Sequence, residues 1–350
     1  MEDDMPIAGA NGTGPASRPT LTDVGHLAGV SAQTVSRYLT GASYVGKETG
    51  ARIQKAIDAL GYRPNRLARS LQIGRADTVG VLTSSPLNYG AAQTLSGLSF
   101  AAHDADITLI TAHLTATNPQ PPEAARALER FLSMRVDGIV VSARVEGLER
   151  VLERSVRNEV PVVAITGRPL PSTGTVGADS YAAGRAVMGH LLQLGHRNIA
   201  FLSGPRDSVE SQERERAYYD MVAAAGVNLL PVMTGGDWTG AAGFEAGRRV
   251  DFSTFSAVFA ADDELALGFA AAARERGFTA PHDYSLAGID DMPEARYFAP
   301  PLTTARLDFV SLGRRAFEVL QHAIRTGEQH PHVVESPELV IRDSTGPVNG

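Results

Sequence analysis

Hydrophobic and polar positions change rhythm once along this chain, near residue 77. Before that point, apolar residues recur at helical spacing in three short segments. Val24, Leu27 and Ala28 share one face of a first helix, which Thr22 can cap. Gly29-Val30 supplies a tight turn. Ser31 caps a second helix through about Leu39, with Val35 and Leu39 facing inward. A third helix runs from about Lys47 to Leu60, with Ile53, Ala56, Ile57 and Leu60 as its stripe and Gly61 as its stop. Two helices joined through a glycine turn and backed by a third make a helix-turn-helix pattern. Pro64 then interrupts, and Asn65 can cap one more stretch, Arg66 to about Ile73. That stretch falls short of the ~12–15 residues an isolated helix needs in water. It is predicted to be unfolded alone and helical only when something holds it.

From Thr78 onward the pattern alternates between strand and helix. Apolar strands are predicted at 79–82, 107–111, 138–141, 162–165, 199–202, 257–260, 285–289 and 333–341. Helical periods lie between them, among them 182–194, 214–225, 265–276 and 312–325. Continuous apolar strands between helices imply parallel sheets covered on both faces. The stretch is too long for one such sheet of average width, so two similar lobes with a cleft are expected. A single eight-stranded barrel is the competing architecture. Residues 1–19 lack periodicity and read as a disordered tail.

Charge divides the chain at the same place. The net charge is −7, yet the 20–76 stretch carries eight bases against three acids, a net +5. The remainder from residue 77 totals −10. A small basic module on a large acidic body suggests that only the module meets a polyanion; a solvated basic surface is the plainer alternative. No cysteine is present, which excludes disulfides and Cys-ligated zinc. No apolar run approaches the ~18 residues of a membrane span. The acidic first residues do not resemble a secretory signal, so a cytoplasmic, nucleoid-associated protein is expected.

The second helix carries the most informative chemistry. If its N-terminal end enters a major groove, Gln33 can pair bidentately with adenine and Arg37 with guanine, while Ala32 can touch a thymine methyl. Thr34 and Ser36 suit phosphate contacts. The alternative is that these side chains merely coat a solvated helix.

Here a resemblance becomes specific. Leu21-Thr-Asp-Val24, Ala28-Gly29-Val30-Ser31, Thr34-Val35-Ser36-Arg37 and Gly61-Tyr62-Arg63-Pro64-Asn65 resemble the head of the lactose-repressor (LacI) family, as does Arg66-Leu67-Ala68-Arg69-Ser70-Leu71. The likeness continues through Leu194-Gly195-His196-Arg197, Ser203-Gly204-Pro205, Gly236-Asp237-Trp238, Asp262-Asp263-Glu264-Leu265, Gly288-Ile289-Asp290-Asp291 and Pro300-Pro301-Leu302-Thr303-Thr304. It spans about residues 20–343. The fold implied is α/β: an all-α head at 20–64, a hinge helix and linker at 65–76, and a two-lobed periplasmic-binding-protein-like body with parallel sheets at 77–343, then a tail at 344–350.

By that resemblance Ala32, Gln33 and Arg37 read the major groove, aided by Thr34 and Ser36. The hinge residues Asn65, Arg66, Ala68, Arg69 and Leu71 serve the minor groove, with Leu71 as the wedge that opens a base step; packing of Leu71 on the body is the alternative. Ala32 stands where the lactose repressor has a larger side chain, so its operator preference is not carried over.

The body should hold a small effector between its lobes. Trp238, the sole tryptophan, sits in a glycine-rich turn and offers a ring for a pyranose face, or else an ordinary packing residue. Arg214, Asp262 and Asp290 match the family's hydroxyl-binding positions, where arginine and carboxylates bracket vicinal hydroxyls. The aspartate doublets read alternatively as metal ligands or a catalytic pair, but no His or third carboxylate stands at ligand spacing. A helix N-cap is the plain role within the first doublet and is assigned to Asp263. Thr166 and Leu307 replace polar residues of the lactose repressor, so a galactoside is not implied. Glu210, near Arg214, either restores a carboxylate or pairs with that arginine.

Together these readings predict a repressor without cofactor or metal. A homodimer would bind a pseudo-palindromic double-stranded operator and be released by a sugar. No leucine-heptad tail supports a tetramer. Three rivals differ in class. An exported sugar-capture protein would need a signal peptide and no basic head. An enzyme on the paired aspartates would need a nucleophile, metal set or phosphate loop. A regulator with a purine-like corepressor would bind DNA more strongly with ligand.

Overall fold

The computed structural model describes residues 19–41, 44–63, 75–84, 87–114, 121–145, 147–156, 159–170, 173–328 and 332–348. The chain divides into two compact units, 1–76 and 77–350.

The first unit contains α1 (Leu21–Ala28), α2 (Ala32–Thr40) and α3 (Lys47–Leu60). The cap of α1 is Thr20, not the expected Thr22. Its hydroxyl accepts from the Asp23 N–H while the Asp23 carboxylate accepts from the Thr20 N–H, a reciprocal capping box. Gly29 turns the chain at φ +67°. At Gly25 a side chain would bring Cβ within 2.8 Å of the Val30 carbonyl, so only glycine permits the tight helix-turn-helix approach. Val24, Ala28, Val35, Ile53, Ala56 and Tyr62 form the core. Leu27, expected inside, is 58% exposed.

The second unit is two α/β lobes. The first is built from β1 (Thr78–Ser84), α4 (Tyr89–Asp104), β2 (Thr108–Leu114), α5 (Pro121–Ser133), β3 (Gly138–Val141), α6 (Leu148–Ser155), β4 (Val162–Ile165) and β5 (Gly174–Ala178). The second follows as α7 (Ser180–Gln193), β6 (Ile199–Ser203), α8 (Val209–Ala225), β7 (Met233–Thr234), α9 (Gly240–Arg249), β8 (Ala257–Ala260), α10 (Asp263–Glu275), β9 (Ser285–Asp290) and β10 (Thr303–Arg306). The chain then returns: α11 (Phe309–Thr326) packs on α4 and β5 of the first lobe. Strand β11 (Val333–Glu335) extends the first sheet, and β12 (Glu338–Val340) the second.

The two sheets have matching orders, β11-β5-β4-β3-β1-β2 and β12-β10-β9-β8-β6-β7. Every pairing is parallel except β10 with β12. Two open sheets replace the rival closed barrel, and the chain crosses between lobes after β5, after β10 and between β11 and β12. The predicted strand 333–341 is therefore two strands in two sheets. Ser336-Pro337 divides them, because proline supplies no ladder N–H.

Helices cover both faces of the first sheet, giving separate layers around Leu82, Leu128 and Phe131 and around Val81, Leu98 and Phe317. The second lobe's core centres on Phe201, Tyr218, Phe259 and Phe269. Residues 344–348, read from sequence as a tail, are knitted into this lobe. Ser344 is 1% exposed; its Oγ donates to the Leu286 carbonyl and accepts from the Thr303 N–H. The Val348 N–H reaches the Leu194 carbonyl. The buried ring of His196 bonds Ser256, Ser285 and the Gly346 carbonyl.

Candidate functional site

In the first unit, α2 presents a polar outer face. Ser31 caps it, accepting from the Thr34 N–H and sharing a hydrogen bond with the Thr34 hydroxyl at 2.9 Å. Gln33 and Arg37, one turn apart, are exposed, whereas Ala32, Thr34 and Ser36 are half-buried and Val35 points into the core. The buried valine thus orients the helix so that the predicted readers face outward. Tyr44, which the sequence reading passed over, is 91% exposed. Asn65, Arg66, Ala68, Arg69 and Leu71 lie outside the described residues.

In the second unit, the predicted effector residues come from four segments that meet at the carboxyl ends of the second sheet's strands. This is where open parallel sheets bind ligands. Trp238 follows β7 and lies against Gly204, where an added Cβ would come within 2.4 Å of the indole. Arg214, from α8, stacks over the indole with its guanidinium carbon 5.3 Å from the ring centroid. The arginine is 4% exposed; Nη1 donates to the Ala261 carbonyl and Nη2 to Asp290 Oδ1 at 3.4 Å. Its Nε has no acceptor. Trp238 is itself only 8% exposed, so it supports Arg214 more than it offers an open ring.

Asp262 follows β8 and is the N-cap of α10, its Oδ1 accepting from the Leu265 N–H at 2.7 Å. The cap was assigned to Asp263 from sequence. Asp263 instead points inward, accepting from Thr304 Oγ1 at 2.6 Å and from the Met292 N–H at 3.0 Å. Gly288 makes room for it, since a Cβ there would stand 2.3 Å from Asp263 Oδ1. Burial, reinforced by the Asp290 charge, pushes the Asp262 carboxyl up to about 8. Burial also raises Asp290, to about 6, against the opposing pull of Arg214. Asp290 and Asp291 both adopt positive φ, +118° and +52°, backbone strain of the kind that concentrates at functional sites. Asp291 turns away, held by Arg306 and Arg342.

The first lobe adds a residue missed from sequence. Tyr89 opens α4, packs edge-on to Phe309 at 6.0 Å, and has its hydroxyl pushed up to about 12 by burial and then by the Asp290 charge. Nothing local marks this tyrosine, because the carboxylate it faces is some two hundred residues away. Glu210 accepts from the Ser208 hydroxyl at 2.6 Å and does not pair with Arg214. Leu307 is buried in the second lobe's core. Two ion pairs tie the lobes at this edge, Arg144 with Asp207 and Arg168 with Glu213, each at 3.0 Å. A separate depression of about 550 Å³ lies between β7 and α9, but its charged residues Glu245 and Arg249 pair with each other.

Comparison with known proteins matches both units. A model of bacterial regulatory proteins of the lacI family matches residues 20–65, and a periplasmic binding protein-like domain matches 188–345. The HTH-type transcriptional repressor PurR of Vibrio campbellii (strain ATCC BAA-1116) is 31% identical over 342 residues, covering 94% of this chain and 99% of the relative. The chain belongs to the lacI family of bacterial regulatory proteins. This family member is a DNA-binding transcriptional repressor, with a helix-turn-helix head and a periplasmic-binding-like body. A crystal structure of the lac repressor dimer bound to operator and the anti-inducer ONPF superposes with a TM-score of 0.86 at 27% identity, covering 94% of this chain and all of the other. A complex of the regulator CelR with cellobiose matches at 0.69 and 29% identity, covering 93% and 100%. Among the described residues, no helix is long and apolar enough to cross a membrane.

Proposed function

We propose that this repressor binds a pseudo-palindromic operator as a homodimer and is released from it by a small carbohydrate held between the lobes. The observation that carries the ligand class is Arg214. A buried guanidinium fixed by Trp238, Asp290 and the Ala261 carbonyl is a preorganised hydroxyl-binding group, flanked by two carboxylates. The cellobiose complex of CelR supports a sugar in a body of this fold. Gln33 and Arg37 read base edges, Ala32 touches a thymine methyl, and Thr34 and Ser36 contact backbone. Asn65, Arg66, Ala68, Arg69 and Leu71 serve the minor groove. Ligand acts only through its different affinity for the DNA-competent and released states, with a coupling of ~1–3 kcal/mol.

A second reading is favoured by the relatives named PurR: a purine that strengthens DNA binding. The two predict opposite signs. Operator selected from random duplex is titrated with protein, by fluorescence anisotropy, with mono- and disaccharides or purine bases present. Weakened binding with a sugar supports the first reading, and tightening by a purine replaces it with the second.

A further inference from the structure

We propose that the cleft recognises an amino sugar, with its ammonium group on the Asp262–Asp290 carboxylates and a ring or hydroxyl oxygen accepting from the Arg214 Nε–H. The inference rests on the carbohydrate reading above and narrows its ligand class.

Charge balance in a buried site leads there. Four aspartates meet behind the cleft. Asp291 is paired with Arg306 and Arg342, whereas Asp263 takes the neutral donors Thr304 and the Met292 N–H, and burial with the Asp290 charge holds its carboxyl well above the usual range. Asp262 and Asp290 remain, with Arg214 bonded to Asp290 and acting on Asp262 through its charge. The other charged or titratable groups facing the pair deepen the imbalance. They are Glu210 on α8, Asp263 and Glu264 on α10 and, from the first lobe, Tyr89. Two buried carboxylates sharing one guanidinium cannot both stay ionised cheaply, because an uncompensated charge is poorly solvated there. Before a cation binds, the pair therefore holds a proton. A cationic ligand can take that proton's place, the carboxyl O–H breaking and the proton leaving to buffer. An anionic ligand such as a sugar phosphate meets repulsion.

The second observation is independent of charge. Arg214 Nε is a buried donor without an acceptor, on a side chain 5% exposed. Leaving such a donor unfilled costs about 1–3 kcal/mol. An ammonium cannot fill it, since it has no lone pair; an oxygen can. The two unmet demands, a cation and an acceptor within one guanidinium's reach, are met together by a hydroxylated amine and only singly by a simple amine or a neutral hexose.

Calorimetric titration of the full chain tests this. Glucosamine, galactosamine and mannosamine are each compared with the N-acetyl form and the parent hexose, at neutral pH, in two buffers of different ionisation enthalpy. At least one amino sugar is expected to bind about ten-fold or more tightly than both its counterparts, with net proton release. In Asp262→Asn, whose amide oxygen can still cap α10, that preference should disappear while the melting curve stays cooperative. Equal or tighter binding of a neutral counterpart overturns the amine and leaves the sugar reading standing. Binding of purine bases with no sugar bound overturns both. Failure of all three amino sugars to bind also overturns the proposal.

Discussion

Asp262→Asn should stabilise the body at neutral and mildly alkaline pH. The substitution keeps shape, and it keeps the oxygen that accepts from the Leu265 N–H at 2.7 Å, so the cap of α10 survives. What it removes is an acid that burial and the Asp290 charge hold at about 8, against 3.8 for an ordinary aspartate. Because the folded value lies above the unfolded one, the folded chain holds the extra proton throughout that window, and stability falls as pH rises from about 4 to about 8. Each unit is worth ~1.4 kcal/mol, so at pH near 7 the upper bound is about 4 kcal/mol. Allowing for the cost of burying the amide, the expected gain is roughly 2–4 kcal/mol, or about 5–12 °C in melting temperature. At pH 4 the two proteins should be nearly equal. Urea unfolding followed by fluorescence of Trp238, the sole tryptophan, reports on the body and not the head. Asp290, raised to about 6, and Asp263, which burial and the Asp290 charge hold well above the usual range, should leave a residual fall of stability above pH 4 in both proteins. A variant no more stable than its parent near pH 7.5, or one with an unchanged pH slope, would refute the reasoning. Stability gained by neutralising a buried acid is the usual counterpart of a site strained for binding.

Other outcomes follow from separate parts of the molecule. Arg37→Ala should erase about 1–3 kcal/mol of discrimination at one base pair while ligand binding by the body persists, measured by anisotropy on selected and scrambled operators; unchanged discrimination removes α2 from the reading role. Gly204→Ala places a methyl where the Trp238 ring now lies, 2.4 Å away, so tryptophan emission should shift and ligand affinity fall about ten-fold. An unaltered emission spectrum would contradict that packing. Ending the chain after Asp343 removes the Ser344 and Gly346 bonds to Leu286, Thr303, Ser285 and His196, and should cost the body roughly 3–5 kcal/mol in urea unfolding. An unchanged midpoint would mean that this segment is not part of the lobe's stability.

Local signals were legible wherever one residue decides its own neighbourhood. Ser31, Gly29 and Gly61 mark helix boundaries in the sequence and do so in the structure, because capping and left-handed turns involve only the next few residues. The cap of α1 was misplaced by two residues because Thr20 and Thr22 are equally able in isolation. The reciprocal bond from Asp23 at the third helical position selects Thr20. Likewise either member of Asp262-Asp263 can cap α10. The choice went to Asp262 because Thr304 and the Met292 N–H, from distant segments, draw Asp263 inward.

The sequence by itself determined the division into a basic helical head and an acidic α/β body and the outward face of α2, and through its family resemblance it nominated Arg214, Trp238, Asp262 and Asp290 as candidate ligand residues. Periodicity, charge and short motifs are properties of contiguous residues. Only the tertiary structure decided that the segment 333–341 feeds both sheets, that Ser344 is core, that Trp238 lies beneath Arg214, and that Tyr89 faces Asp290. The raised carboxyls of Asp262 and Asp290 belong to that second group. They depend on burial and on charges brought together from α8, α10 and the first lobe, and solvation is a property of the folded surface, not of the order of residues.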